Sequence, residues 1–351
     1  MTPVPSLLAI APRVEARLRV LIEGELSRWQ GIDPALVAPL QSLGDLLLSG
    51  GKRIRPAFCY WAFVGSGGDP DDPLVADAGA AFELLHAFAL VHDDVMDGSS
   101  TRRGRRTAHV AFAEDHRERA WIGEARRFGE GVAILIGDLA AVYADVLLRD
   151  APGAAIEVWN ELRIELNLGQ YLDLVGTAEG QRDRRAAERI ARYKSGKYTV
   201  ERPLHVGAAL AAPQRTAELF PTLSRYGLPI GDAFQLRDDL LGAFGDETLT
   251  GKPVGDDLRE GKPTTLLAIA TARATGVEAA QLARVGASDL GEDEVEAIQR
   301  VLQRTGARQE LEAQISALAD EAIAALECAP LIDEARLALT ELAHFVVRRT
   351  A

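Results

Sequence analysis

The chain has 351 residues, 47% of them hydrophobic and 26% charged, and its formal net charge is −13. This composition is typical of a globular protein and argues against a disordered one. The acidic balance argues against a general nucleic-acid binder, because phosphate backbones are bound by basic surfaces.

Apolar residues recur at helical spacing along most of the chain. The pattern predicts helices over 76–97, 131–148, 154–175, 223–244 and 292–326, the last as one or two helices. Glycine and proline separate these segments, and no stretch alternates convincingly enough to predict a strand. Since no linker or shift in composition divides the chain, we expect a single all-α domain over residues 1–351.

The N-terminal apolar run is too short for a signal peptide, and no segment reaches the roughly 18 apolar residues of a membrane span. Two cysteines far apart, Cys59 and Cys328, predict neither a disulfide framework nor a zinc site. We therefore expect a cytoplasmic protein without a membrane span.

Lysine is rare and its positions are unusual. Only five of the 39 basic residues are lysines. Four of them, Lys52, Lys194, Lys252 and Lys262, lie in glycine-flanked motifs. An ammonium group is a compact, strongly hydrated charge, unlike the planar guanidinium. We therefore expect these lysines to have tasks for which arginine is less suited, and not to be remnants of a coding bias.

Three carboxylates close the helix predicted over 76–97, in the sequence VHDDVMDGSSTRRGRR. Asp93 and Asp97 are four apart and share a helix face, with Asp94 beside them. Like charges at the negative end of a helix dipole are unfavourable unless cations offset them. A divalent ion that bridges carboxylates to a phosphate is one such counter-charge; a solvated acidic helix end is the alternative.

A second acidic cluster lies in FQLRDDLLGAFGD. Gln235, Asp238, Asp239 and Gly242 fall on one helical stripe. Two acidic helix faces that oppose each other across a cavity are able to hold metal ions between them. This second cluster favours the metal interpretation of the first.

Basic residues accompany both clusters. Lys52 and Arg55 lie in GGKRIRP at a loop-to-helix junction, where free backbone N–H groups favour anions. Arg102 and Arg103 follow the first cluster on a turn rich in glycine and serine.

These motifs, with the order GGKRIRP, HDDVMDGSSTRRG, GD at 137–138, YKSG and FQLRDDLLGAFGD…GK…GK, resemble those of trans-type isoprenyl diphosphate synthases, the polyprenyl synthetase family, over nearly the whole chain. The resemblance implies an all-α isoprenoid synthase fold, with helices around a deep central cavity, and a homodimer. It also implies condensation of an allylic diphosphate with isopentenyl diphosphate, head to tail and dependent on about three Mg²⁺ ions per active site.

The resemblance also assigns residues to roles. The metal set is Asp93, Asp94, Asp97, Asp238 and Asp239. The allylic diphosphate set is Arg102, Lys194, Ser195, Gln235, Lys252 and Lys262. The isopentenyl diphosphate set is Gly51, Lys52, Arg55, His86 and Arg103. Catalysis is assigned to Asp93, Asp94, Lys194, Gln235 and Asp238.

Two local features depart from this pattern or bear on it. Gly242 stands where the family has a third carboxylate, and Asp246, one turn on, is a candidate replacement. Pro203, inside a helical stretch, predicts either a kink or a helix end.

The residues before the first acidic cluster predict product length. Ala89 is small, whereas Phe88 is bulky and limits the depth of a pocket whose floor also includes Leu85. In this family such an arrangement resembles enzymes that make the twenty-carbon geranylgeranyl product. Farnesyl or longer-chain synthases are alternatives. A class I terpene cyclase is disfavoured by Lys52 and Arg55, and a non-catalytic partner subunit by the intact first cluster.

Overall fold

The structure is a computed structural model that describes residues 4–102, 104–245 and 254–349. Its chain divides into two units. The N-terminal unit comprises Pro5–Tyr60 and Asp69–Pro152, and the C-terminal unit comprises Trp61–Gly68 and the chain from Gly153 onward.

Helices form most of the N-terminal unit. Their bounds are α1 Pro5–Leu8, α2 Ala11–Gln30, α3 Val37–Leu48, α4 Ile54–Gly65 (which continues into the C-terminal unit), α5 Pro73–Asp97, α6 Ala108–Glu118 and α7 Ala125–Leu148, with a short 3₁₀ turn at Pro34–Leu36. The long helix α5 packs along α7, and α7 packs against α6. Alanine and glycine on α5, such as Ala78, Gly79 and Ala81, are fully buried and allow close helix packing.

The C-terminal unit begins with α8 Gly153–Ala178 and α9 Arg184–Ala191, which runs directly into a π-helix, Arg192–Glu201. There follow α10 Arg202–Ala211, a 3₁₀ turn at Pro213–Arg215, α11 Thr216–Phe244, α12 Asp256–Glu260, α13 Thr265–Arg273, α14 Val277–Leu282, α15 Glu292–Arg304, α16 Ala307–Leu326 and α17 Asp333–Arg348. Apolar side chains of α11, α13, α15 and α16, among them Leu240, Leu267, Ile298 and Leu311, form one buried core.

The predicted all-α fold is confirmed, with two local differences. A two-stranded antiparallel hairpin, β1 Thr101–Arg102 and β2 Arg105–Arg106, follows α5. Strands of two residues are too short to produce an alternating pattern, so sequence periodicity does not predict them. The helical stretch around Pro203 contains the π-helix, which continues without a break into α10. Pro203 is the second residue of α10 and has no N–H to donate to the preceding turn.

Two helices, α5 and α7, are long and apolar enough to cross a membrane by length and composition alone. Core helices of soluble proteins pass the same test, and 67% of the relevant window of α5 is buried. The test therefore does not establish a membrane span.

Candidate active site

The first acidic cluster occupies the last turn of α5. The helix starts at Pro73 behind an Asp72 cap, whose carboxylate accepts from the Leu74 N–H at 2.8 Å. It ends at Gly98, which takes the left-handed conformation, φ 67°, that glycine tolerates at a helix terminus. This end places Asp94 in a buried position, 4% exposed, with Asp93 and Asp97 partly exposed beside it.

Arg102 is the cation that accompanies this cluster. Its Nε donates to Asp94 Oδ1 at 2.8 Å, and its Nη2 lies 2.6 Å from the same oxygen and 3.6 Å from Asp93 Oδ2. Burial alone would lower the pKa of Arg102, but Asp94, Asp93 and Asp97 together raise it above its ordinary value. Arg102 therefore stays charged and offsets part of the repulsion among the carboxylates.

The β-hairpin holds Arg102 in this place. Thr107, which follows β2, donates its hydroxyl to Ser99 O at 2.8 Å and its N–H to Ser100 O at 3.1 Å. Beside the hairpin is a cavity of about 480 Å³ whose lining includes Asp94, Arg102, Arg105 and polar groups of α3. Arg103 lies outside the described residues.

The side chains one turn before the acidic cluster are also fixed. The rings of Phe88 and His92 meet edge-on, with centroids 4.7 Å apart. His92 Nε2 lies 3.0 Å from Ile134 O and 3.8 Å from Asp138 Oδ1 on α7. Gly137 admits this ring, because a Cβ at 137 would lie well inside 3.0 Å of His92 Nε2. Leu85 is buried and Ala89 is partly exposed.

The loop before α4 is anchored by Arg53, which sequence reasoning did not single out. Arg53 is 4% exposed and has φ 52°, an uncommon conformation for a residue other than glycine. Its guanidinium pairs with the buried Glu83 of α5, donates to Leu47 O at 2.8 Å, and lies 3.5 Å from the half-exposed Glu15. The same loop contains Gly51 and Lys52.

Among the residues predicted to bind isopentenyl diphosphate, Gly51, Lys52, Arg55 and His86 all belong to the N-terminal unit. His86 is one turn after Glu83 on α5, so the Arg53–Glu83 pair ties the Lys52 loop to the helix that presents His86.

In the C-terminal unit, the π-helix presents Lys194 and Ser195. Lys194 Nζ donates to Asp173 Oδ2 on α8 at 2.6 Å, and Asp173 is 6% exposed. The π-helix packs closely against two neighbouring helices at glycines. Gly169 of α8 contacts the backbone at Lys194. On the other side, a Cβ at Gly196 would lie 3.0 Å from the carbonyl carbon of Gly231 on α11. A side chain at position 196 would therefore crowd the backbone of α11.

A buried ionic network supports the other end of the π-helix. Glu165 of α8 accepts from Arg202 through two bonds of 2.7 Å and also from Lys197. Burial alone would raise the pKa of Glu165, but the hydrogen bonds from Arg202 and Lys197 lower it below its ordinary value. The buried Glu201 accepts from Ser224 Oγ at 2.7 Å.

The two aspartates of the second acidic cluster have different surroundings. Asp239 is 3% exposed and accepts from Gln235 Nε2 at 2.9 Å and from the Thr265 N–H at 3.1 Å. Burial is the main cause that raises the pKa of Asp239 to about 7, and the charges of Asp257 and Asp238 add to it. Asp238 is the more exposed of the pair, with a side chain 38% exposed.

Asp238 also has a cationic partner near the C-terminus, which sequence reasoning missed. Arg349 forms an ion pair with Asp238, donates to Phe234 O at 2.8 Å, and stacks over the Phe234 ring with its central carbon 3.7 Å from the centroid. Arg349 is 6% exposed, so this contact holds the residue that follows α17 against α11.

Lys262 and Gly242, two further predicted positions of this unit, both lie near carboxylates. Lys262 Nζ lies 2.6 Å from Glu260 Oε2 and 3.9 Å from Asp257 Oδ1. Gly242 faces the Asp257 carboxylate. Lys252 and Asp246 lie outside the described residues.

The donors in both units suit a hard divalent cation. Among the described residues, no three histidine, cysteine or carboxylate side chains converge closely enough to hold a metal by themselves. Mg²⁺, however, is usually held by one or two carboxylates together with substrate phosphates. Asp93 with Asp94, and Asp238 in the other unit, provide oxygen donors of this kind.

Within each unit, the structure thus brings several predicted residues together. In the N-terminal unit these are Asp93, Asp94, Asp97 and Arg102, and in the C-terminal unit Gln235 with Asp239. The structure adds Arg53, Glu83, Asp173, Glu165, Asp257 and Arg349. A signal for two of them was present: Glu83 interrupts an apolar helix face, and Asp173 is a carboxylate at a buried helical position.

Comparison with known proteins matches residues 38–303 to the family described as polyprenyl synthetase. The short chain isoprenyl diphosphate synthase of Methanothermobacter thermautotrophicus is 30% identical, over 88% of this chain and 90% of that protein. The (2E,6E)-farnesyl diphosphate synthase of Mycobacterium bovis is 33% identical, over 86% of this chain and 80% of that protein.

Among solved structures, the chain is similar to a geranylgeranyl pyrophosphate synthase from Corynebacterium glutamicum, complexed with isoprenyl diphosphate and magnesium. The TM-score is 0.89 and the identity 36%, over 96% of this chain and 97% of that one. A polyprenyl synthase from Caulobacter crescentus, complexed with calcium and isoprenyl diphosphate, matches with a TM-score of 0.82 and 30% identity over 99% of this chain and 98% of that one. These matches cover nearly the whole chain with the same helical architecture. The chain therefore belongs to the polyprenyl synthetase family and is a prenyltransferase.

Proposed function

We propose that the protein condenses isopentenyl diphosphate with allylic diphosphates, head to tail and dependent on Mg²⁺, and that its main product is geranylgeranyl diphosphate. The observation that carries this proposal is the cluster of Asp93, Asp94 and Arg102, in which carboxylates for a metal adjoin a cation for a phosphate. Two of the proteins named above support it: a short chain isoprenyl diphosphate synthase, and a geranylgeranyl pyrophosphate synthase complexed with isoprenyl diphosphate and magnesium.

The chemistry requires a C–O bond to break with diphosphate as the leaving group. Bound Mg²⁺, about three ions in this proposal, supplies charge that stabilises the departing anion. The carboxylates of Asp93, Asp94, Asp97, Asp238 and Asp239 form the metal-binding set. Arg102, Lys194, Lys252 and Lys262 bind diphosphate oxygens, and Ser195 and Gln235 lie toward the reacting carbons.

Isopentenyl diphosphate binds in this proposal through Gly51, Lys52, Arg55, His86 and Arg103. The buried Arg53–Glu83 pair restrains the backbone of the loop that contains Lys52, which limits where that side chain starts before the substrate arrives. The double bond of this substrate then attacks the allylic cation, and released diphosphate takes the proton, so no side chain of the protein acts as a base.

Product length is limited by Phe88, with Leu85 and Ala89 completing the floor of the pocket. The contact with His92, itself bound to Ile134 O, supports this role because it restrains the Phe88 ring. A ring held in one position sets one depth for the proposed pocket.

The protein is further proposed to be a cytoplasmic homodimer in which residues 1–351 act as one domain. The first test is incubation of purified protein with Mg²⁺, isopentenyl diphosphate and, separately, dimethylallyl, geranyl and farnesyl diphosphates, with chain lengths measured by mass spectrometry. A twenty-carbon diphosphate supports the proposal. A product shorter or longer than twenty carbons overturns only the product assignment and the role of Phe88, whereas no product from folded protein overturns the activity.

A further inference from the structure

The second acidic cluster has a gap in its sequence. Asp238 and Asp239 are followed at position 242 by glycine, so the helical stripe that begins at Asp238 has no carboxylate one turn later. Residues four apart on a helix have Cβ atoms about 5–6 Å apart, so a side chain at 242 would lie next to that of Asp238.

That space is filled by a carboxylate from elsewhere in the chain. A Cβ at position 242 would lie far inside 3.0 Å of Asp257 Oδ2, and would also overlap Asp257 Cγ. Real Cβ atoms essentially never approach other atoms so closely. Asp257, in the first turn of α12, therefore occupies the volume in which a side chain at 242 would start.

The neighbouring aspartate cannot easily take this role. Both carboxylate oxygens of Asp239 already accept hydrogen bonds, one from Gln235 and one from the Thr265 N–H. Asp257 is differently placed: its side chain is 18% exposed, and Lys262, 3.9 Å from its Oδ1, lies closer to Glu260. The charge of Asp257 is also close enough to act on Asp239.

We propose that Asp257 supplies, from α12, the carboxylate that position 242 lacks, and that it joins Asp238 and Asp239 in the divalent-cation set of the C-terminal unit. This inference rests on the proposed function, which assigns Mg²⁺ to the cluster. In this arrangement the glycine at 242 leaves the space that the carboxylate of Asp257 fills.

The test measures Mn²⁺ binding by electron paramagnetic resonance, with inorganic diphosphate present, in the whole protein. Asp257→Asn should weaken the binding of at least one Mn²⁺ by about tenfold or more, the scale seen when groups around a metal are removed. Asp256→Asn, the adjacent residue with the same loss of charge, is the matched control and should bind as the wild type does.

A swap of positions gives the sharper result. The double variant Gly242→Asp with Asp257→Ala returns the carboxylate to α11 and removes the overlap, so it should recover Mn²⁺ binding that Asp257→Ala alone loses. Recovery supports the inference even where the single variants are less stable in thermal unfolding. Wild-type binding in Asp257→Asn, or no recovery in the swap, overturns it.

The proposed function is tested separately by the wild type. Product formation by wild-type protein, together with unaltered Mn²⁺ binding in Asp257→Asn, leaves the activity intact and removes only the role of Asp257. Absence of both product and Mn²⁺ binding in the wild type overturns the proposed function, and with it this inference.

Discussion

The buried ion pair between Arg53 and Glu83 allows a quantitative prediction. The two side chains are 3% and 7% exposed, so Glu83→Gln leaves a guanidinium charge that is almost completely removed from water. Breaking a buried pair by removing one partner typically costs 3–5 kcal/mol. Arg53 keeps its bond to Leu47 O and its distant partner Glu15, so we expect a loss of about 3 kcal/mol, near the lower bound.

The variant should also show a specific functional defect. Arg53 holds a backbone conformation that is strained for a side-chain-bearing residue, and its ion pair restrains the loop that contains Lys52. We expect the KM for isopentenyl diphosphate to rise about tenfold, equivalent to about 1.4 kcal/mol of binding, while the KM for the allylic substrate changes little.

Thermal unfolding and steady-state kinetics measure both effects. Domains of 150–250 residues lose about 2–4 °C in Tm per kcal/mol, so a loss of about 3 kcal/mol lowers Tm by roughly 6 °C in this longer chain. The control is Glu15→Gln, which removes a partner of the same arginine that is 47% exposed and 3.5 Å away. Such exposed pairs contribute at most about 1 kcal/mol. Equal Tm values for the two variants would refute the reasoning.

Three further predictions concern other residues. Phe88→Ala should lengthen the product, because it removes the ring that limits pocket depth; mass spectrometry of the products measures the shift. Gly137→Ala should cost about 1–3 kcal/mol in urea unfolding, because its Cβ would overlap the half-buried His92 ring. Glu165→Gln should destabilise the protein by roughly 3 kcal/mol at neutral pH, and its deficit should shrink on acidification. The folded-state pKa of Glu165 is lowered from 4.5, so its stabilisation is complete above that pH and is lost as the pH falls through the folded-state value.

Each of these has a matched comparison. An unchanged product distribution in Phe88→Ala argues against Phe88 as the floor of the product pocket. Gly131→Ala, on the same helix with nothing within 4 Å, should be neutral or stabilising, and a loss equal to that of Gly137→Ala would contradict the packing argument. Glu157 on α8 is exposed, so Glu157→Gln should cause no pH-dependent loss in the free energy of unfolding. A loss equal to that of Glu165→Gln would contradict the stabilising role of the ionic network around Glu165.

Features encoded locally were accessible from the sequence. The end of α5 at Gly98 follows from a glycine after a periodic apolar run, and the position of Asp93 and Asp94 on its last turn follows with it. Residues that act across the chain were not accessible. Asp257 enters the second cluster from a different helix, and its significance depends on the space at Gly242, which no spacing rule reveals.

Backbone geometry was the other part that sequence could not supply. The residues of the π-helix have ordinary helix formers among them, and the close approach of Gly196 to Gly231 joins segments far apart in sequence, so local propensity does not describe it. In the sequence, nothing distinguishes Arg53 from the other basic residues of GGKRIRP. Its positive φ and burial arise from the tertiary pairing with Glu83, which local propensity does not describe.

The π-helix has a consequence for insertions and deletions. Lys194 and Lys197 are three residues apart, yet their partners Asp173 and Glu165 are eight residues apart on α8, a separation of about 12 Å along that helix. Because each residue of an α-helix turns the chain by about 100°, deleting one residue between the two lysines would rotate Lys194 away from Asp173 while Lys197 kept its partner. This segment should therefore tolerate substitution of its exposed side chains far better than any change in its length.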